Sequence, residues 1–134
     1  MKTRLAMLYL RFALGIAFLS AVADRFGFWG RHSAWGNFSR FTHYTAQVLS
    51  FLPASSIPFF AWAATIAEIG LGIALIFGLW LRWTALASAL LLLLFAIAMS
   101  ISFGVNVPLG YSVFSASAGA LLLAFCSAPN SSRK

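Results

Sequence analysis

The chain has 134 residues, 62% of them hydrophobic and 8% charged, with a mean hydropathy of +0.93. A soluble domain carries roughly a quarter charged residues, and disorder needs low hydrophobicity with high charge, so both are excluded and an integral membrane protein remains. The formal net charge of +7 does not point to nucleic acid. Its cations, Lys2, Arg4, Arg11, Arg25, Arg31, Arg40, Arg82, Arg133 and Lys134, stand singly and mostly beside apolar runs, where membrane orientation and anionic head groups account for them. The one cysteine, Cys126, rules out an intrachain disulfide and CxxC chemistry.

A bilayer core of about 30 Å requires roughly 20 apolar helical residues. Four stretches meet or approach this: residues 5–26, interrupted by Arg11; 58–79, with Glu68 at the centre and Pro58 at a helix start; 81–103; and 109–126. The expected fold is therefore all-α, an antiparallel bundle of four transmembrane helices in a single domain, with a tight hairpin between the second and third spans. Lys2 and Arg4 before the first run, and Ala21-Val22-Ala23 after it, also fit a cleavable signal peptide. Arg11 breaks that apolar core, which favours a retained span. Counting cations puts Lys2, Arg4, Arg82, Arg133 and Lys134 on one side against Arg25, Arg31 and Arg40 on the other, so both termini are expected in the cytoplasm.

The long first loop holds an amphipathic segment. Read as a helix over about 38–52 behind an Asn37 cap, it gathers Phe38, Phe41, Val48, Leu49 and Leu52 on one face and Ser39, Arg40, His43, Gln47 and Ser50 on the other. Such a helix lies in the membrane interface or packs over the end of the bundle.

Small residues mark the faces along which membrane helices approach closely. In the second span Ala61, Ala64, Thr65, Glu68 and Gly72 share one face. In the fourth, Ser112, Ser115, Ala116 and Gly119 form a similar stripe. The first span offers two rival faces: Ala6, Ala13, Ala17, Ser20 and Asp24, or Arg11, Gly15, Phe18, Val22 and Arg25. Gly15, Gly72, Ser112, Ser115 and Gly119 are thus expected to pack the bundle.

Glu68 is the residue most open to a chemical role, because an ionised group at mid-membrane costs a few kcal/mol unless it has a partner, water or a proton. A structural carboxyl that fixes helix register through Thr65 or a serine is the other reading. Arg11 either snorkels or turns inward to meet Glu68. Side chains tilt toward the N-terminus of their helix, and in antiparallel spans this carries Arg11 and Glu68 apart. Asp24 and Arg25 form a solvated pair or the polar rim of an outward-opening ligand pocket. His32 and His43 lack metal-ligand spacing, the serines have no triad partner, and no metal site is expected.

The stretch RFALGIAFLSAVADRFG resembles the first-helix signature of the DoxX family in Arg11, Gly15, Asp24 and Arg25. ATIAEIGLGIALIFGLWLRW resembles that family's second helix in Glu68, Gly72, Gly78 and Arg82. PLGYSVFSASAGALLLA resembles the end of the DoxX subgroup, with Gly110 standing where an Asp is usual. The resemblance implies a multi-pass protein of the bacterial inner membrane, linked to quinol-oxidase or thiosulfate:quinone redox systems. It further implies work with a protein partner, since the chain holds no site for a covalently bound cofactor.

Two functions follow as expectations. One is a redox subunit that binds a quinone or similar apolar molecule with Glu68, Arg11, Asp24 and Arg25 at the site. The other is a non-catalytic membrane scaffold recruiting a redox or stress-response partner. The bilayer is a partner in both, a homo-oligomer is compatible with either, and a transporter is disfavoured because no broken-helix repeat is visible.

Overall fold

The computed structural model of the protein describes residues 2–32 and 34–126, the side chain of His32 excepted. Among these residues there is no strand. Six α-helices follow in order: α1 Lys2–Arg25, α2 Phe38–Val48, α3 Ile57–Phe77, α4 Leu81–Phe103, α5 Asn106–Gly110 and α6 Val113–Cys126, with single 3-10 turns at Gly30–His32 and Ala54–Ser56. Three segments are long and apolar enough to cross a membrane, Lys2–Arg25, Ala54–Phe77 and Leu81–Phe103.

The fourth expected span, 109–126, is broken. Ser112 adopts φ 60°, a left-handed conformation that costs an ordinary residue roughly 1–2 kcal/mol and cannot continue a right-handed helix. Leu109 and Gly110 therefore belong to the short α5. The remaining α6 has 14 residues, about 21 Å at 1.5 Å per residue. The break also resets the phase of the helix. Ser112 and Ser115 are exposed, and the packed face runs through Ser117, Ala120, Leu123 and Ala124, with Gly119 partly covered by Leu10. Arg133 and Lys134, which entered the orientation count, lie outside the described residues.

The α3–α4 hairpin closes as its sequence demands. Gly78 takes φ 72°, and the Leu79 amide donates back to the Ala74 carbonyl at 2.9 Å, the C-terminal closure that glycine permits at low cost. Trp80 follows at φ 42°, and the Thr84 hydroxyl donates to the Leu79 carbonyl at 2.8 Å.

The helices stack in two tiers. On the side of the N-terminus and the α3–α4 turn, α1, α3, α4 and α6 enclose Leu14, Phe18, Leu75, Ala85, Ala89, Ala120, Leu123 and Ala124. Toward the long loop, α2 and α5 replace the ends of α1 and α6, and a smaller cluster of Val48, Ala98 and Met99 packs with Tyr44, Leu49, Val107 and Val113. Here α2 is capped by the Asn37 side chain, which accepts from the Arg40 amide at 2.8 Å. It stops at Val48, short of the expected Leu52, and the Ser102 hydroxyl of α4 donates to the Val48 carbonyl. Elsewhere hydroxyls are absorbed locally: Thr65, Ser88 and Ser100 each donate to the carbonyl four residues back, while Ser117 of α6 reaches the Ala89 carbonyl of α4 at 2.7 Å.

Large apolar side chains point outward, among them Phe59, Trp62, Ile66, Ile73 and Phe77 of α3, while Ala61, Thr65, Glu68, Gly72 and Leu75 are buried. In α1 the interior face is the one carrying Arg11, Leu14, Gly15, Phe18, Val22 and Arg25, and Ala6, Ala13 and Ala17 are exposed. Gly15 and Gly72 permit this contact. A Cβ on Gly15 would sit 2.8 Å from Ile76 Cγ1 and 2.9 Å from the Gly72 carbonyl oxygen. Gly15→Ala is therefore expected to destabilise the bundle by about 1–3 kcal/mol, the usual cost of overpacking, in thermal melts of detergent-solubilised protein. Gly70→Ala, where a Cβ meets nothing within 4 Å, should leave the melt unchanged or slightly raised.

Candidate functional site

Glu68 lies on the buried face of α3 with 2% of its surface exposed, and its partner is Arg25, exposed by 3%. Arg25 Nη2 donates to Glu68 Oε2 at 2.7 Å, and Arg25 Nη1 donates to the Thr65 hydroxyl at 3.0 Å. The Thr65 hydroxyl in turn donates to the Ala61 carbonyl at 2.8 Å, so one oxygen both accepts and donates. Thr65 and Glu68 are three residues apart and share a helix face, which lets a single guanidinium bridge them.

The pair is roofed by the loop. The Arg25 guanidinium carbon stands 3.7 Å from the centre of the Phe41 ring and 5.5 Å from that of Trp35, and these two rings meet edge to face at 5.0 Å. A cation over an aromatic face gains about 2 kcal/mol or more when desolvated. A second aromatic group, Phe26, Phe38 and Trp62, stacks the loop onto α3, with Phe38 and Trp62 at 4.2 Å.

Asp24, the neighbouring residue, turns the other way. Its Oδ2 accepts from the Ala34 amide at 2.7 Å, and its Oδ1 accepts from the amides of Trp35 and Gly36 at 2.9 and 3.1 Å. The carboxylate is thus the anion of a nest of consecutive backbone N–H groups. The tightness of this strap shows at Gly27, φ 79°, where a Cβ would come within 2.8 Å of the Gly36 carbonyl oxygen. The last turn of α1 therefore grips α3 with one side chain and the loop with the next. Arg25 is consumed inside, whereas Asp24, only partly covered, accepts three of the chain's own amides.

Arg11 does not meet Glu68. Its Nε donates to the Leu75 carbonyl and its Nη2 to the Ile76 carbonyl, both at 3.0 Å, which places a cation on the orphan carbonyls at the C-terminus of α3. Of the four residues proposed for one ligand site, the structure brings Arg25 and Glu68 together and sends Asp24 and Arg11 to separate tasks.

The tilt of side chains toward their helix N-terminus, which carries Arg11 away from Glu68, would have selected Arg25. At the loop-side end of α1 that tilt points back into the bundle, toward Glu68 leaning up from α3. Phe41 and Trp35 had no such signal, since nothing local announces which aromatic of a loop will cover a distant cation.

Against this geometry, comparison with protein families matches residues 3–107 to the family described as methylamine utilisation protein MauE. The chain belongs to the MauE family. This corrects the DoxX resemblance. Among the residues that carried it, Arg11, Gly15, Asp24, Arg25, Glu68 and Gly72 perform helix capping, close packing, loop anchoring and charge pairing in this fold. The MauE match runs from the first turn of α1 into α5 and so spans the whole roofed ion pair. Comparison with curated proteins and with solved structures gives no match.

Two outcomes test the site. Removing one member of a buried pair typically costs about 3–5 kcal/mol. Because a guanidinium cannot shed its proton whereas a carboxyl can take one up, Glu68→Gln should destabilise the MauE-family protein more than Arg25→Gln. The double variant should recover part of the loss, measured by thermal or denaturant melts in mild detergent. Asp24→Ala should leave helix content intact by circular dichroism but raise the rate of proteolysis within residues 27–36 severalfold, because three amides lose a charged acceptor.

Proposed function

We propose that this MauE-family membrane protein is a non-catalytic scaffold of a methylamine utilisation system that recruits a partner protein through the cap formed by its first loop. In this reading α1, α3, α4 and the shorter α6 cross the bacterial inner membrane as a four-helix antiparallel bundle. Both termini and the Arg82 turn are cytoplasmic, and the cap lies on the opposite face. The observation that carries the proposal is the state of Glu68. Its charge is engaged by Arg25, and that pair in turn holds up the aromatic underside of α2, so the most chemically suggestive carboxyl serves to position a surface. On the outer side of that surface Ser39, Arg40, His43 and Gln47 are exposed, a polar face suited to a protein partner in water.

A quinone or similar apolar ligand against Glu68 has less support. It requires the carboxylate to exchange Arg25 for the ligand, which leaves a guanidinium stranded among Phe41, Trp35 and Thr65. The open apolar groove at Pro58, Phe59, Trp62, Ala63, Ile66 and Ala67 lies on the outward side of α3, away from that pair.

The test is affinity purification of the full chain from gently solubilised membranes of methylamine-grown cells. The scaffold reading expects a partner protein to co-purify, and its recovery to fall at least about tenfold, a loss of ~1.4 kcal/mol, when Ser39, Arg40, His43 and Gln47 are replaced by Ala without a change in melting temperature. A stoichiometric quinone that disappears in Glu68→Gln, with the partner unaffected by the α2 changes, would replace this reading with the ligand-binding one.

A further inference from the structure

α3 carries small residues on two opposite faces. One face is taken: a Cβ on Gly72 would come within 3.1 Å of the Gly15 carbonyl oxygen of α1. The other holds Ala63, Ala67, Gly70 and Ala74, which at about 100° per residue fall within about 60° of arc. Ala63 and Gly70 are exposed, and a Cβ on Gly70 would meet nothing within 4 Å. Elsewhere in the bundle such residues are spent on helix contacts, as with Ala85 and Ala89 of α4 and Ala120 and Ala124 of α6 in the core. This stripe faces outward.

The loop-side half of the stripe lies in the open apolar groove, about 630 Å³, where Phe59, Trp62 and Ile66 stand beside Ala63 and Ala67. Trp62 is fixed there by Phe38 of α2, stacked on it at 4.2 Å. At Pro58 the groove meets a second one, about 430 Å³, between α2 and the start of α3, which Ser39, Thr42 and His43 line. The two form one path, apolar along α3 and polar at the cap. Ser39 and His43 are exposed, and their side chains make no hydrogen bond among the described residues. Arg40 is exposed beside them, three residues before His43 on the helix surface, and its guanidinium touches the Trp35 carbonyl at 3.4 Å.

We propose that this path holds a membrane-spanning helix of the recruited partner, with an acidic side chain just beyond that helix set against Arg40 and His43. The inference rests on the scaffold reading and deepens it: the partner is anchored in the membrane and not freely soluble. Charge selects the occupant. The two acidic side chains of the sequence, Asp24 and Glu68, are engaged by loop amides and by Arg25, so an acidic side chain at Arg40 comes from another chain. A second copy of this chain, laid in parallel on the same face, would bring its own Arg40 to the same edge, like charge against like. A lipid tail finds the same apolar contact anywhere on the outer surface, whereas alanine and glycine let a helix backbone approach closely.

The experiment is photo-crosslinking of the full chain in membranes of methylamine-grown cells, with benzoylphenylalanine replacing Ala67 in the groove, Ser39 in the polar pocket or, as a control, Leu94 on the outward face of α4, 54% exposed. Mass spectrometry maps the cross-linked peptides. The probes at Ala67 and Ser39 should label one protein, the first within an apolar span of about 20 residues and the second in a stretch bearing Asp or Glu at the end of that span. The probe at Leu94 should label neither. Gly70→Leu should cut the yield at Ala67 about tenfold at unchanged melting temperature, because it fills the space a helix needs. Arg40→Glu should lower the yield as well, and exchanging the partner's acidic residue for Lys should restore it. Labelling at Ala67 of lipid alone, of a second copy of this chain, or of a span without an acidic flank would each overturn the proposal. A partner that co-purifies through the polar face of α2 but is never labelled from Ala67 overturns this inference and leaves the scaffold reading standing. The absence of any partner overturns both.

Discussion

One guanidinium organises this protein. Arg25 stands at the end of α1, below the loop, and is shared among a carboxylate and a hydroxyl of α3 and an aromatic ring of α2. An interhelical hydrogen bond in a membrane protein averages about 0.6 kcal/mol, so contacts such as Ser117 to Ala89 tune the packing without deciding it. Breaking a buried ion pair by removing one partner typically costs several kcal/mol. The arrangement of α1, α3 and the cap is therefore set by this pair more than by any other polar contact among the described residues. The Arg25 Nε is buried without a hydrogen-bond partner, which adds to the cost of placing the cation here and is offset by the ring stacked against it.

The pair lies where the two tiers of the bundle meet. Below it, close packing of small residues does the work: Gly15 on Gly72 brings α1 onto α3, and Ala85, Ala89, Ala120 and Ala124 bring α4 onto α6. Above it, α1 and α6 no longer reach, and the ends of α3 and α4 are covered by a polar-faced helix instead. That change of cover explains why α2 carries a cap, a buried stripe of Phe41, Thr45 and Val48, and an exposed polar face, and why two adjacent residues, Asp24 and Arg25, hold the strap and the roof. An anchored surface of this kind is what a recruiting scaffold needs, since a mobile loop would pay the cost of ordering at each encounter.

Some of this was legible beforehand because it rests on local rules. The buried face of α3 followed from the segregation of small and large residues, and the hairpin followed from the few residues between two apolar runs. The Asn37 cap followed from an asparagine ahead of an amphipathic stretch. The family did not follow from the DoxX-like motifs because these are packing and capping residues, which recur wherever helices must approach closely. The start of the fourth apolar helix was not legible because apolar composition says nothing about the single residue, Ser112, whose left-handed backbone delays α6 to Val113.

The sequence by itself determined that the chain is an all-helical membrane protein, and of the four spans it suggested three are long apolar helices in the structure. Those properties depend on hydropathy and period, which are sums over neighbouring residues. Only the tertiary structure decided which of two arginines neutralises Glu68, which face of α1 turns inward, and that Asp24 accepts the backbone amides of the loop. Each is a choice between alternatives of similar local cost. It is settled by contacts between residues 10 to more than 60 positions apart, where the low dielectric of the packed interior makes one pairing far better than the other.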